Sequence, residues 1–290
     1  MRKAFLQLHL AVFLAGFTGI LGRLIELNEA MIVWWRLLIS SATMWVLFSF
    51  TKSLQPVPAK DRWRILGVGV IAAMHWVCFY GSIKYANVSV GLVCFSAVGF
   101  FTALFEPLLL RTRFRVAELL LGLLVMAGIY IIFHFDTRYT KGIIFGLFSS
   151  MLGAIFPVFN RGLMQRMNAE TLMTWELSGG VLALTCLLPF YLKAVGPVQY
   201  LPAAGDWLWL LFLSWVCSVW AFRLSANALK SISAFTVNLS YNLEPVYGIA
   251  LAFLVYHENR ELNAGFYAGF AVILVAVLLQ TRRALKVASR

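Results

Sequence analysis

Charge is what this sequence lacks most. Only 12% of its 290 residues are charged, against 61% hydrophobic, and its mean hydropathy is +0.83. A soluble domain carries about 25% charged residues, so a water-solvated globule is excluded and the surrounding solvent is lipid. Cysteine is also sparse: Cys78, Cys94, Cys186 and Cys217 fall inside apolar runs, with no metal-ligand spacing and no paired framework. They read as small hydrophobes. The sequence carries no Gly-rich loop ending in Lys-Ser/Thr, no catalytic triad and no metal cluster. Nothing therefore points to a catalytic residue, a metal or a cofactor, and the chain is not read as an enzyme. Acidic residues are half as common as basic ones, giving a net charge of +12. The basic residues sit in short clusters between apolar runs, the pattern that sets membrane topology. A nucleic-acid reader would gather them on one solvated face, so nucleic acid is not expected as a partner.

What the sequence has in abundance is apolar runs long enough to cross a bilayer, which needs roughly 20 such residues. Cutting at charged and turn-rich joints predicts ten spans, at 4–24, 30–51, 64–85, 87–110, 116–135, 142–164, 171–193, 207–228, 233–256 and 262–281. The first run is longer than the apolar core of a signal peptide and shows no small-residue cleavage site, so it counts as a span. With the N-terminus inside, 16 Lys and Arg fall on the inner side and six on the outer, with Arg36 and Arg223 within spans. Both termini are therefore expected in the cytoplasm of a cell whose inner membrane holds the protein. Trp34, Trp35, Trp207 and Trp209 then lie near the outer interface, as an aromatic belt.

The chain also repeats itself. A shift of 146 residues lays Ile83-Lys84 on Leu229-Lys230 and Gly99 on Pro245, and one further residue of slip lays Gly122 on Gly269. Earlier in the halves, Trp35-Arg36-Leu37 matches Trp175-Glu176-Leu177. Residues 1–140 and 141–290 are thus expected to form two units of five spans each. An odd number turns the second unit over, which predicts an all-α membrane protein of ten transmembrane helices in two inverted five-helix repeats. Such repeats hold a small-molecule site near the bilayer midplane, between the halves.

With this layout, the segment Leu229-Lys230-Ser231-Ile232-Ser233-Ala234-Phe235-Thr236 leading to Asn242-Leu243-Glu244-Pro245-Val246 resembles the EamA-type transporters of the drug/metabolite transporter superfamily. Glu258 matches the acidic residue that closes this segment in the family. In the first half Gly99 stands in place of the proline and Arg111 in place of that Glu. The resemblance implies a secondary transporter of small metabolites. Similar proteins export amino acids.

Ionisable groups within a span should face a cavity or a partner. His75 and Glu244 fall near the centres of spans three and nine, and Glu244 precedes Pro245, which is expected to kink the helix. Asn238, Tyr241 and Asn242 stand at i, i+3 and i+4 and share a face. Trp76, Phe79 and Tyr80 form an aromatic stripe beside His75. Each group is a candidate cavity lining, with helix packing as the alternative; His75 is either a proton carrier or a neutral hydrogen-bonded ring. Arg36 lies towards the outer end of span two and Glu176 towards the inner end of span seven, so no direct ion pair is expected between them. They are candidates for gates or for contact with an anionic group, and snorkelling to the interface is the other reading of Arg36. Gly265 and Gly269 make a GxxxG on the last span, which suits close helix approach within the fold or between copies. The expected function is export of a small polar, amino-acid-like metabolite by alternating access, from a monomer or homodimer embedded in the bilayer. The alternative is a non-transporting membrane scaffold or an integral membrane enzyme.

Overall fold

In lipid, water cannot satisfy exposed backbone groups, and an apolar segment must bond them within itself as a helix. The computed structural model of the chain describes residues 2–135, 137–196, 198–229, 231, 237 and 240–288, and every regular element among them is helical. The first half comprises α1 (Arg2–Leu24), α2 (Glu29–Phe50), α3 (Ala59–Tyr85), α4 (Val88–Phe95), α5 (Val98–Leu110) and α6 (Val116–Phe135). The second half comprises α7 (Thr140–Leu163), α8 (Ala169–Val195), α9 (Ala204–Leu211), a π-helical segment (Phe212–Trp220), α10 (Ala221–Leu229), α11 (Glu244–Tyr256) and α12 (Ala264–Ala288). Among the described residues, nine helical stretches are long and apolar enough to cross a bilayer, and α11 is a shorter apolar helix. Here α4 with α5 counts as one span, and α9 to α10 as another. Of the motif ahead of α11, Lys230, residues 232–236 and Asn238 lie outside the described residues.

Three helix starts are set by asparagine. The side chains of Asn28, Asn87 and Asn168 accept from the backbone N–H groups of Met31, Val90 and Thr171 at 2.8–3.0 Å, which opens α2, α4 and α8. Two spans are interrupted. Span four breaks at Ser96-Ala97 between α4 and α5. Span nine breaks at Asn242-Leu243, and Pro245 sits in the first turn of α11, where its missing N–H costs no helix bond. The bend expected at Pro245 thus takes the form of a helix start.

The packing partners between the two halves obey an exchange rule: replacing each span by its counterpart five spans away maps one such contact onto another. Span three on span six (α3 on α7) becomes span eight on span one (α10 on α1). Likewise α3 on α8 becomes the π segment on α2, and α4 and α5 on α7 become α11 on α1. Three contacts map onto themselves: α2 with α8, α4 with α11, and α6 with α12. The halves are therefore two copies of one unit. Five spans in each unit turn the second upside down relative to the first.

Apolar surface gains nothing by leaving lipid for another helix, so close backbone approach and interhelical hydrogen bonds hold such bundles together. A Cβ on Gly128 would lie 2.7 Å from the Gly269 carbonyl oxygen, so the GxxxG of the last span packs within the fold, on α6. A Cβ on Gly69 would strike the carbonyl of Glu176 directly, where α3 crosses α8. Serines bridge two further seams: Ser41 and Trp45 of α2 both meet the Ser178 hydroxyl of α8 at 2.9 Å, and Ser150 of α7 donates to the Cys94 carbonyl of α4 at 2.7 Å. Cys78, Cys94 and Cys217 are buried free thiols, while Cys186 is exposed.

Gly69→Ala is expected to destabilise the protein by about 1–3 kcal/mol, because backbone must move to admit the methyl group. Gly67→Ala, with nothing within 4 Å of its Cβ, should be neutral or slightly stabilising. Unfolding midpoints of the two variants in one detergent compare them directly.

Candidate functional site

Arg36 stands eight residues after the cap Asn28, and Glu176 eight after the cap Asn168. Each therefore lies about 12 Å inside the end of the bundle at which its helix begins. Because α2 and α8 begin at opposite ends, the two side chains approach the middle from opposite directions. Both line one cavity of about 310 Å³, together with Trp76, Phe156, Asn160, Met173, Ser218, Phe222, Ser225 and Tyr241 among others. Asn160 comes from the last turn of α7, Met173 from the start of α8 and Ser225 from near the end of α10. These positions lie at the end of the bundle from which α1 starts and at which α12 finishes, so the cavity runs from Arg36 towards that end.

Arg36 is 7% exposed. Its Nε donates to the Ser218 hydroxyl at 3.0 Å, its Nη1 to the Tyr80 hydroxyl at 2.9 Å, and its Cζ lies 4.8 Å from the centre of the Trp76 ring. Ser218 belongs to the π segment and donates its one hydroxyl hydrogen to the Leu213 carbonyl at 2.9 Å, five residues back. That leaves its lone pairs to receive Arg36. The wide π turn thus builds the cradle, a recurrent use of such segments at functional sites. Beside it, Ser40 donates to the Ser214 carbonyl at 3.2 Å and ties α2 to the same segment. Among the described residues no carboxylate forms an ion pair with Arg36; Glu244 interacts with it only through space. A buried guanidinium held by two neutral hydroxyls and an aromatic face is oriented but not neutralised.

Glu176 is 6% exposed, and its Oε2 accepts from Asn160 Nδ2 at 2.7 Å. Asn160 Oδ1 is buried with no partner among the described residues. No ion pair joins Glu176 to Arg36, in keeping with their opposite directions of approach.

The remaining candidates separate by helix face. Trp76 lines the cavity, and Tyr80 reaches its edge through Arg36. His75 turns the other way: its Nδ1 meets the Ser149 carbonyl at 2.8 Å and the Ser149 hydroxyl at 3.0 Å, and Phe79, Phe95 and Phe156 surround its ring. Phe79 packs with it, away from the cavity wall. Tyr241 lines the cavity, and Asn242 is half-buried in the turn before α11. Glu244 opens α11, where its carbonyl oxygen would lie 2.9 Å from a Cβ on Gly16 of α1. Asn238 lies outside the described residues. Ser40 and Ser218 were not singled out by their sequence positions; serines at 214 and 218, one helical turn apart in an apolar run, were the available signal.

The opposite end of the bundle is closed. Trp34, Trp35 and Trp207 pack ring to ring at 4.9 and 5.0 Å, and Trp35 donates to the Tyr200 carbonyl at 2.9 Å. Glu258, fully buried, accepts from Arg23 at 2.6 Å, from the backbone N–H groups of Val88 and Ser89 at 3.0 and 2.8 Å, and from the Ser89 hydroxyl at 2.6 Å. One carboxylate thereby ties the end of α1, the start of α4 and the residues after α11 into a single knot at a positive helix terminus. The exchange rule takes this contact to the ends of α7 and α5, where Arg161 meets Glu106 at 2.9 Å in solvent-exposed positions.

An inverted ten-span bundle with a polar-headed cavity between its halves defines a membrane transporter by class. The chain belongs to the EamA-like transporter family, whose match covers residues 2–134 and 140–282. An uncharacterized transporter from Archaeoglobus fulgidus is 26% identical over 230 residues, covering 79% of this chain and 80% of its own. The crystal structure of another protein superposes with a TM-score of 0.65 over 99% of each chain at 16% identity, a likeness of fold alone.

Glu258→Ala is expected to cost about 3 kcal/mol, because it orphans two backbone donors and Arg23. Glu106→Ala removes only an exposed pair and should change stability by less than about 1 kcal/mol. Equal melting temperatures for both variants would contradict the asymmetry of the two ends.

Proposed function

We propose that the protein is a secondary transporter that exports a small polar, amino-acid-like metabolite across the inner membrane by alternating access. The observation that carries this reading is Arg36. A guanidinium buried in the middle of a lipid-embedded bundle, oriented by Ser218, Tyr80 and Trp76 and in no ion pair with a carboxylate among the described residues, is an anchor for the anionic group of a solute. The cavity around it is at the small end of ligand pockets, which run from about 300 Å³, and most of its wall is apolar.

The two halves, 1–140 and 141–290, are the units that move in this reading. Their contacts exchange in pairs, so the arrangement that closes one end has a mirror arrangement that would close the other. The breaks in spans four and nine provide the joints. With both termini cytoplasmic, as the basic residues suggest, the cavity faces the cytoplasm, and the Arg23–Glu258 knot seals the outer end. The drive is a gradient of solute or ions.

In proteoliposomes tested with a panel of amino acids, with and without a pH gradient, Arg36→Gln should lower flux at least tenfold at unchanged expression. Arg36→Lys should recover little of it, since an ammonium cannot serve Ser218, Tyr80 and a ligand in one plane. Full flux in both variants would retire Arg36 as the anchor. For orientation, single cysteines at positions 84 and 230, in a background without native cysteine, should label with an impermeant reagent from outside and inside respectively. Labelling of both from one side would overturn the inverted topology.

A further inference from the structure

The cavity has a second polar head that the Arg36 anchor leaves unexplained. Glu176 and Asn160 are joined by one hydrogen bond, yet between them they keep two acceptors unused. Among the described residues, Glu176 Oε1 receives no donor, and Asn160 Oδ1 is buried with none. Both side chains line the cavity, and among the described residues no Lys, Arg or His pairs with Glu176. A buried carboxylate with a single amide donor is costly until a cation or further donors reach it. The helix crossing that holds it is rigid: Gly69 of α3 lies directly on the Glu176 backbone carbonyl, and Gly180 of the next turn meets the Gly69 carbonyl. That crossing fixes where the Glu176 backbone sits beside the cavity that its side chain lines. Met173, Phe156 and Phe222 supply apolar wall beside it.

We infer that Glu176 and Asn160 form an amine-recognising subsite, which takes a protonated primary amine on the transported solute. The assignment rests on the transporter reading above and narrows it: the solute carries its cationic group at Glu176 and its anionic group at Arg36. A primary ammonium offers three donors, enough for Glu176 Oε1 and Asn160 Oδ1 together. A guest with only a negative charge leaves both acceptors bare and adds repulsion. The two heads come from equivalent positions of inverted halves, so one ancestral position has become a cation in one copy and an anion in the other. A solute joining them bridges the two moving units.

The test is a binding titration by calorimetry on the whole protein in detergent, with phenylalanine, leucine and glutamate each compared with its N-acetyl derivative, which has lost the ammonium. For at least one pair, the wild type should bind the free amine at least tenfold more tightly. Glu176→Gln should reduce that preference to less than threefold, and Asn160→Ala should weaken it. Glu176→Asp, which keeps the charge, should retain most of it and shows that the site tolerates substitution. Equal binding of amine and N-acetyl forms by the wild type, absence of binding by all six probes, or an intact preference in Glu176→Gln would each overturn the inference. If the preference survives in Glu176→Gln while Arg36→Gln still abolishes flux, the amine subsite fails and the transporter reading stands. If neither substitution alters flux, the cavity itself is not the transport site.

Discussion

Helices immersed in lipid cannot be held together by hiding apolar surface from water, since the lipid is as apolar as they are. This bundle depends instead on places where backbones nearly touch. Gly16 admits α11 to α1, Gly69 admits α8 to α3, and Gly128 with Gly269 joins α6 to α12. Each contact joins one half to the other, and each brings polar groups into hydrogen-bonding range that would otherwise face hydrocarbon. The crossing at Gly69 places Glu176, and the crossing at Gly16 places Glu244. Close approach and polar content are therefore one constraint.

The same constraint accounts for the irregular backbone. Helix interruptions leave backbone groups unpaired, which is tolerable at membrane depth only where protein or a cavity covers them. The break in span four is covered by α7 and α11, while the start of the span, eight residues earlier, is capped twice, by Asn87 and by Glu258. In the π segment the Leu213 carbonyl also receives the Ser218 hydroxyl, which then fixes Arg36. An irregularity in one half thus orients a charge belonging to the other.

The two ends of the bundle contain matching parts in unequal states. At one end a carboxylate between spans one and nine is buried and four times bonded; at the other a carboxylate between the counterpart spans six and four, Glu106, pairs with Arg161 in the open. Identical halves packed with perfect symmetry would leave both ends equally closed or equally open. The two ends therefore differ in how deeply their carboxylates are buried.

Much of the architecture was legible along the chain. Scarcity of charge specified lipid, run length specified the spans, and the match of Trp35-Arg36-Leu37 to Trp175-Glu176-Leu177 carried over to two caps placed eight residues upstream. These features depend on hydropathy and local backbone chemistry, which read out in one dimension. The site was legible only in part, because its members meet across helices. His75 and Trp76 are neighbours in sequence, yet about 100° apart around a helix of 3.6 residues per turn. Only the packing of α3 on α7 and α8 decided that Trp76 would face the cavity and His75 would face Ser149. Ser218 was one small hydroxyl in an apolar run until the π turn aimed it at Arg36. Glu176 gained its open acceptors from Gly69 and Asn160, which stand on two other helices. The sequence by itself determined the solvent, the spans and the repeat, while only the tertiary structure decided which polar groups share one enclosed space, because the rotation of each helix about its axis is set by its neighbours.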